Sequence, residues 1–144
     1  MLRRRMGDAA FQKFLAQVYE RYRFQSVSTR DFRTLAAAQM DPKAADGKLE
    51  AFFEQWVDGT GIPTLKLSWK VTGRAPKLML AGTLTQADVD EDFTALVPLE
   101  IQVPRAKPIV QWVQSSSGPV SFTVPLAAAP LKVTLNPGNA VLAR

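Results

Sequence analysis

The sequence predicts an α+β fold in which three short N-terminal helices precede a seven-stranded antiparallel β-sandwich. Apolar residues recur at spacings of three and four before Gly59 and at every second position after Pro63, which are the periods of a helix and of a strand. Turn residues then divide the second part into short segments at near-even spacing, a pattern typical of a β-sandwich. We place the boundary near Gly61, with a helical segment at 1–61 and a β-sandwich domain at 62–144.

The first two predicted helices are each defined by an apolar face. The first begins at Asp8 and continues for about four turns. Its apolar face consists of Phe11, Phe14, Leu15, Val18 and Tyr22. The second begins after Ser28, because a serine followed three residues later by Asp31 is typical of a capping box. It ends at Asp41-Pro42, since proline disfavours helical geometry in the residue before it, and its apolar face consists of Phe32, Leu35, Ala36 and Met40.

The third predicted helix, Lys48 to Val57, has an apolar face rich in aromatic residues. The residues at helical spacing in this segment are Leu49, Phe52, Phe53, Trp56 and Val57. The segment Gly59-Thr60-Gly61-Ile62-Pro63 follows and combines flexible with rigid residues, which predicts the end of the helix.

The strands are predicted from alternation of apolar and polar residues. A hairpin is expected from Leu65–Val71 and Leu78–Leu84, joined by a loop that contains Gly73 and Pro76. A long strand follows from Phe93 to Val103, before Pro104. The remaining predicted strands are Ile109 to Val113, Val120 to Leu126, Leu131 to Leu135 and Ala140 to Ala143.

The composition excludes several kinds of chemistry within this chain. Its 144 residues include no cysteine and no histidine, which excludes thiol catalysis, disulfides, imidazole general-base chemistry and nearly every zinc site. The net charge is +5, but the run Arg3–Arg5 supplies three of these charges, so a nucleic-acid surface is not indicated. Neither a signal peptide nor a membrane span of about 18 apolar residues is predicted, and the compartment stays open.

Two acidic segments are considered as cation sites, and solvent exposure is the favoured interpretation of both. Glu50 and Glu54 lie on the helix face opposite the apolar stripe. The acidic run 88–92 lacks the ordered ligand spacing of an EF-hand loop and is interpreted as a charged hairpin tip.

Gly59-Thr60-Gly61 follows a helix, whereas a phosphate-binding loop precedes one, so it is interpreted as a helix stop. The arginine run is interpreted as a helix end or an artificial chain boundary rather than a site for an acidic partner.

No catalytic, cofactor-binding or metal-binding residue is therefore predicted. Aromatic residues at helical spacing are typical of a core, but three short helices have little with which to cover so many rings. We therefore predict residues that pack against another domain, namely Phe11, Phe14, Phe52, Phe53 and Trp56.

The segment Leu49–Leu65, which reads LEAFFEQWVDGTGIPTL, closely resembles a segment of a known enzyme family. The family is peptidase M1, the gluzincin zinc aminopeptidases of the membrane alanyl aminopeptidase type. In these enzymes the similar segment lies where the chain exits the catalytic domain. Upstream, Met1–Asp8 resembles the helix end and turn that precede the family's last catalytic-domain helices, and Tyr22–Phe32 is similar to the stretch that follows them in the family. Downstream, the family's small immunoglobulin-like β-sandwich domain is similar to Gly82–Gln86, Val97–Ile101 and Asn136–Ala143. The resemblance covers nearly the whole chain and implies that the predicted sandwich is immunoglobulin-like.

The motifs that carry the activity of this family are not found in the sequence. They are a His-Glu-x-x-His helix with a downstream Glu that binds zinc, a Gly-x-Met-x-Asn-like strand for the substrate amino terminus, and a transition-state Tyr. Tyr19 and Tyr22 lie too far downstream to take that last role. The resemblance thus implies a parent enzyme that uses zinc to remove N-terminal residues from peptides, and a chain that is inactive alone.

Three functional hypotheses follow. In the first, the chain is a structural and interdomain packing module whose partner is the remainder of the parent catalytic domain. Zinc and peptide substrate then belong to the parent, and exposed apolar helix faces allow a dimer. In the second, the chain is a free-standing module that binds a peptide or protein through loops 86–92 or 115–119. In the third, it belongs to a non-catalytic relative that serves as a scaffold.

Overall fold

Helices come first along the chain and strands follow, as the change of apolar period predicts. The computed structural model describes residues 1–44 and 46–144. The chain divides into two units, Met1–Thr60 and Gly61–Arg144. The first is helical and the second is built of antiparallel strands, so the fold class is α+β.

The helical unit begins with a short helix that was not predicted as a separate element. The helices are α1 (Leu2–Met6), α2 (Asp8–Tyr22), α3 (Thr29–Ala37) and α4 (Glu50–Phe53), and α4 continues as a π-helical segment (Glu54–Asp58). Gly7 separates α1 from α2 with a φ of 83°, a conformation that favours glycine because it has no Cβ. The predicted cap of α3 is confirmed, since the Ser28 Oγ accepts a hydrogen bond of 3.1 Å from the Asp31 amide.

The core of the helical unit is made largely of phenylalanine rings. Phe14, Leu49 and Phe53 are buried together with Ala36. The Phe14 ring meets the Phe32 ring edge-to-face, with centroids 4.7 Å apart, a favourable arrangement for two aromatic quadrupoles. Helices this short are marginal in isolation, so this packing is what holds them in place.

The β unit contains six antiparallel strands in two sheets that do not close into a barrel. Sheet 1 has the order β1-β2-β5 and sheet 2 the order β4-β3-β6. The strands are β1 (Thr64–Arg74), β2 (Lys77–Ala87), β3 (Leu96–Gln102), β4 (Ile109–Gln114), β5 (Val120–Leu126) and β6 (Lys132–Leu135). The predicted count of seven is therefore not reached within the described residues.

The difference lies at the C-terminal end of the chain. Residues 140–143, predicted as a strand, are not in strand conformation in the structure. The Asn136 side chain instead bonds both the amide and the carbonyl of Val141, at 2.9 and 2.8 Å, and so holds this segment in a loop. Arg144 alone reaches a strand edge, where its amide donates to the Pro63 carbonyl and its carbonyl accepts from the Leu65 amide.

The long strand predicted from Phe93 to Val103 is shorter in the structure. β3 begins at Leu96, because the Phe93 amide closes a turn onto the Asp90 carbonyl. Phe93 and Ala95 are nevertheless buried, which explains why their apolar alternation suggested a longer strand.

Side chains from both sheets form the core of the β unit. Leu80, Val124 and Leu126 of sheet 1 are buried together with Ile101 of sheet 2. Directly opposed residues share a face of a sheet, so the pairing of Leu80 with Val124 places both on the inner face. In the next row of that face, Gly82 pairs with Phe122, and a Cβ at Gly82 would collide with the Phe122 ring. A larger residue at position 82 would therefore have to displace the Phe122 ring.

Candidate functional site

The five predicted packing residues all lie in the helical unit, and most of them contact one another. Phe14 and Phe53 are buried, whereas Phe11, Phe52 and Trp56 are half-buried. The Phe11 and Phe14 centroids lie 5.9 Å apart, and those of Phe52 and Phe53 lie 5.8 Å apart. Phe14 and Phe53 are therefore core residues of the helical unit. The apolar surface that was predicted to pack against another domain is reduced to the half-buried rings of Phe11, Phe52 and Trp56.

Other apolar side chains of the helical unit are more exposed than these rings. Leu15 and Tyr19 are exposed one turn apart on α2, and Val57 is exposed on the π-helical segment. Phe24, which follows α2 with a φ of 62°, is fully exposed. Phe24 was not predicted as a packing residue, because it lies outside every segment with regular apolar spacing.

The arginine run at the N-terminus is used within the helical unit. The Arg5 guanidinium lies 3.3 Å from the Asp46 carboxylate and 5.8 Å from the centre of the Phe52 ring. Asp46 also accepts hydrogen bonds from the amides of Ala51 and Phe52 at the start of α4, at 3.2 and 3.0 Å. One carboxylate therefore joins α1 to α4, which supports the interpretation of the run as part of a helix end.

A second ion pair lies on the surface of the same unit. The Arg3 guanidinium donates a hydrogen bond of 2.8 Å to the Asp8 carboxylate. This hydrogen bond, together with the positive charge of Arg3, lowers the pKa of Asp8 below its ordinary value. Both groups are exposed, so the pair has little effect on folding.

The acidic segments do not form a metal centre among the described residues. No group of three or more Asp, Glu, His or Cys side chains in residues 1–44 and 46–144 is placed to hold a metal ion. Glu50 and Glu54 are exposed. Asp88 accepts a hydrogen bond of 2.5 Å from the Thr64 hydroxyl, which fixes the end of the β1–β2 hairpin.

The two loops predicted as alternative binding sites, 86–92 and 115–119, lie at the same end of the β unit, because Leu96 shortly after the first loop pairs with Gln114 directly before the second. The Ala95 amide donates to the Ser115 hydroxyl at 2.9 Å, and the Ser115 amide donates to the Ala95 carbonyl at 2.8 Å. The Gln86 side chain donates to the Phe93 carbonyl at 2.7 Å, which ties the first loop back to β2. Ser115 is itself buried, so it serves to join the loops.

An exposed apolar surface of the β unit lies on the outer face of sheet 2. Leu96, Val110 and Trp112, which we call the sheet-2 patch, are 42%, 53% and 41% exposed. Trp112 pairs with Pro98, and Leu96 and Val110 lie two positions away along their strands, so the three side chains share one face. This patch was not predicted, because the strands that carry it were predicted from their apolar residues without assigning a face to each side chain. The signal was present, since Val110 and Trp112 interrupt the polar face with apolar residues.

No protein-family model matches the chain, and no curated protein matches it significantly. Among the described residues, no helix is both long enough and apolar enough to cross a membrane. The described residues form two apolar cores, and the β unit also has an exposed apolar patch and two loops at the same end. Such surfaces are suited to packing and binding.

Proposed function

We propose that this chain is the non-catalytic C-terminal part of a zinc aminopeptidase of peptidase family M1. In this proposal the helical unit is the end of the catalytic domain and the β unit is an immunoglobulin-like sandwich that serves as an interdomain packing module. Zinc and the peptide substrate are bound by the remainder of the parent enzyme. The chain has neither histidine nor cysteine, so its own residues do not fit a zinc site of that family.

The sheet-2 patch is the observation that carries the packing role. Three large apolar side chains on one sheet face, two of them from alternate positions of β4, form a surface that water solvates poorly. Contiguous exposed apolar surface of this kind marks interaction sites on soluble proteins. In the proposed parent this patch packs against another part of the same enzyme.

The resemblance of the segment Leu49–Leu65 supports the choice of family. In the structure this segment comprises α4, the π-helical segment and the entry into β1, so it leads from the helical unit to the β unit. This is the position that the resemblance assigns to it, at the exit from a catalytic domain.

The proposal is tested by reading the coding sequence upstream of Met1 and expressing the extended protein. We expect a His-Glu-x-x-His motif with a downstream Glu in frame, bound zinc, and hydrolysis of aminoacyl substrates. In that protein Trp112→Ser should lower the melting temperature, whereas Phe24→Ser, an equally drastic change at a fully exposed position, should not. A stop codon and ribosome-binding site directly before Met1 would overturn the proposal.

A free-standing β-sandwich binding module is the second candidate function. The observation that favours it is that both loops lie at the end of the β unit where Ala95 bonds Ser115, because binding surfaces on such folds are commonly built from adjacent loops. A pull-down with the chain alone distinguishes the candidates. A partner lost in a variant of the exposed residues Glu91 and Ser117, but retained in Trp112→Ser, would favour this function.

A further inference from the structure

β1 is a long strand at the edge of sheet 1. It contains 11 residues, about twice the usual length of a strand. Within the described part of the chain it pairs with β2 on one side, and its other side meets Arg144 at the start of the strand. A long edge with unpaired peptide groups is a template for a further strand.

The bonds of Arg144 show which peptide groups point outwards. They engage the Pro63 carbonyl and the Leu65 amide, so these groups face away from β2. Peptide groups alternate in direction along a strand. The outward-facing amides and carbonyls that follow are therefore those of Leu67, Trp69 and Val71, and none of them has a backbone partner on that side among the described residues.

The same three residues place apolar side chains on the inner face of sheet 1. Leu67 and Val71 are half-buried, and Trp69 is 45% exposed although it pairs with the core position Gly82. The intervening side chains lie on the outer face and are exposed, namely Lys66, Ser68, Lys70 and Thr72. The edge thus combines free hydrogen-bonding groups with an incompletely covered apolar row.

We propose that two copies of this chain associate through β1, as antiparallel strands related by a two-fold axis at Trp69. This axis pairs the outward peptide groups of Trp69 with those of Trp69 in the second copy. It also sets Leu67 opposite Val71 of the second copy. The apolar row on the inner face of sheet 1 then continues from one copy into the other. This inference does not depend on the proposed function, because it uses the residues of the β unit alone.

The positions of the lysines select this register. Lysines on an edge normally oppose pairing, and an axis at Ser68 would set Lys66 opposite Lys70, while an axis at Lys70 would set that residue opposite itself. With the axis at Trp69, Lys70 lies opposite Ser68 and Lys66 lies opposite Thr72. Like charges directly opposite are thereby avoided on the whole strand.

Two further axes with the correct peptide direction are less suitable. An axis at Leu67 would require Leu65 to pair, but its amide is already bonded to Arg144. An axis at Val71 would extend the pairing past the end of β1 at Arg74 and shorten the ladder. The axis at Trp69 uses the longest available stretch of the edge.

The first experiment measures self-association of the full chain by sedimentation over a broad range of concentration. We expect a reversible dimer. Ser68→Lys would create two like-charge pairs with Lys70 while changing an exposed side chain, and should weaken the dimer roughly tenfold. Ser121→Lys, the same change at an exposed position on β5, should leave the dimer unaffected.

The second experiment identifies the register by disulfide formation, since the chain has no cysteine of its own. Ser68→Cys and Lys70→Cys are prepared separately and mixed under a mild oxidant. A non-hydrogen-bonded cross-strand pair has Cα atoms about 4.5 Å apart, within the range for a disulfide. We expect the mixed pair to cross-link faster than either variant alone, because equivalent positions in the two copies are diagonal neighbours roughly 7–8 Å apart.

The control for cross-linking is Ser121→Cys, an exposed cysteine on the other edge strand of sheet 1. A monomer at every concentration would overturn the proposal. So would a dimer that Ser68→Lys does not weaken, or cross-linking of the mixed pair no faster than that of Ser121→Cys. Circular dichroism of each variant confirms that the fold is retained and that a loss of association is not a loss of structure.

Discussion

The two units of this chain obtain their cores in different ways. The helical unit brings a few large rings together from separate short helices, with Phe14 and Phe53 buried and Phe32 against them. The β unit distributes its core over aliphatic side chains on long paired strands, such as Leu80, Ile101 and Val124. The stability of the helical unit should therefore depend on single side chains more strongly than that of the β unit. In the β unit the backbone hydrogen bonds between strands persist when one side chain is lost.

The largest effect is therefore expected from Phe14→Ala. The ring is fully buried between α2 and α3, and truncation of a buried phenylalanine costs about 3–5 kcal/mol of unfolding free energy. We expect the helical signal in circular dichroism to be lost at much lower denaturant. Phe24→Ala removes an equally large but exposed ring and should change little. Equal losses in the two variants would contradict the assigned core.

Leu80→Ala makes the matching test in the β unit. Leu80 is fully buried on the inner face of sheet 1, and such a truncation costs about 2–5 kcal/mol. Thermal unfolding followed by the strand signal in circular dichroism measures the loss. Met79→Ala, at the adjacent and more exposed position, should cost much less. If Leu80→Ala proves more damaging than Phe14→Ala, the comparison of the two units is reversed.

Much of this difference could be predicted from the sequence. The periods of 3.6 and 2 gave the order of helices and strands, and Ser28 and Asp31 gave the start of α3. The end of the chain could not be predicted in this way. Residues 140–143 are a short apolar run that suggested a strand, but Asn136 bonds Val141 through its side chain, and that contact depends on a left-handed turn at Asn136 that the apolar pattern does not encode.

The candidate sites were less predictable than the fold. Periodicity identified Phe11 and Phe14 as one helix face, but not which of the two is covered, because coverage depends on how the other helices pack. The β1 edge arises from strand order, which places β1 at the edge of its sheet. Strand order is a property of long-range pairing, so the sequence pattern of a single strand does not contain it.

A smaller effect is expected where polar bonds rather than apolar packing hold the helical unit together. Asp46→Ala removes the acceptor for two amides at the start of α4 and the partner of Arg5, and places alanine at a φ of 53°. The expected cost is about 1–2 kcal/mol, similar to the loss of a helix cap. Asp46→Asn retains an acceptor and tolerates this φ, so it should lose less. Equal losses in urea unfolding would show that the charge, rather than the bonds to the amides, is what matters.

The smallest effect concerns the surface pair of Arg3 and Asp8. The hydrogen bond from Arg3, followed by its charge, lowers the pKa of Asp8 from the ordinary value of 3.8. A lowered carboxyl pKa stabilises the folded state above the unfolded-state value, and this contribution is lost as the pH falls through the folded-state value. NMR titration of the Asp8 carboxyl should show a midpoint below 3.8 that returns towards it in Arg3→Gln. If the midpoint of the Asp8 titration were unchanged in Arg3→Gln, Arg3 would not be the cause of the lowered pKa. Because both groups are exposed, the global unfolding free energy should hardly respond to Arg3→Gln.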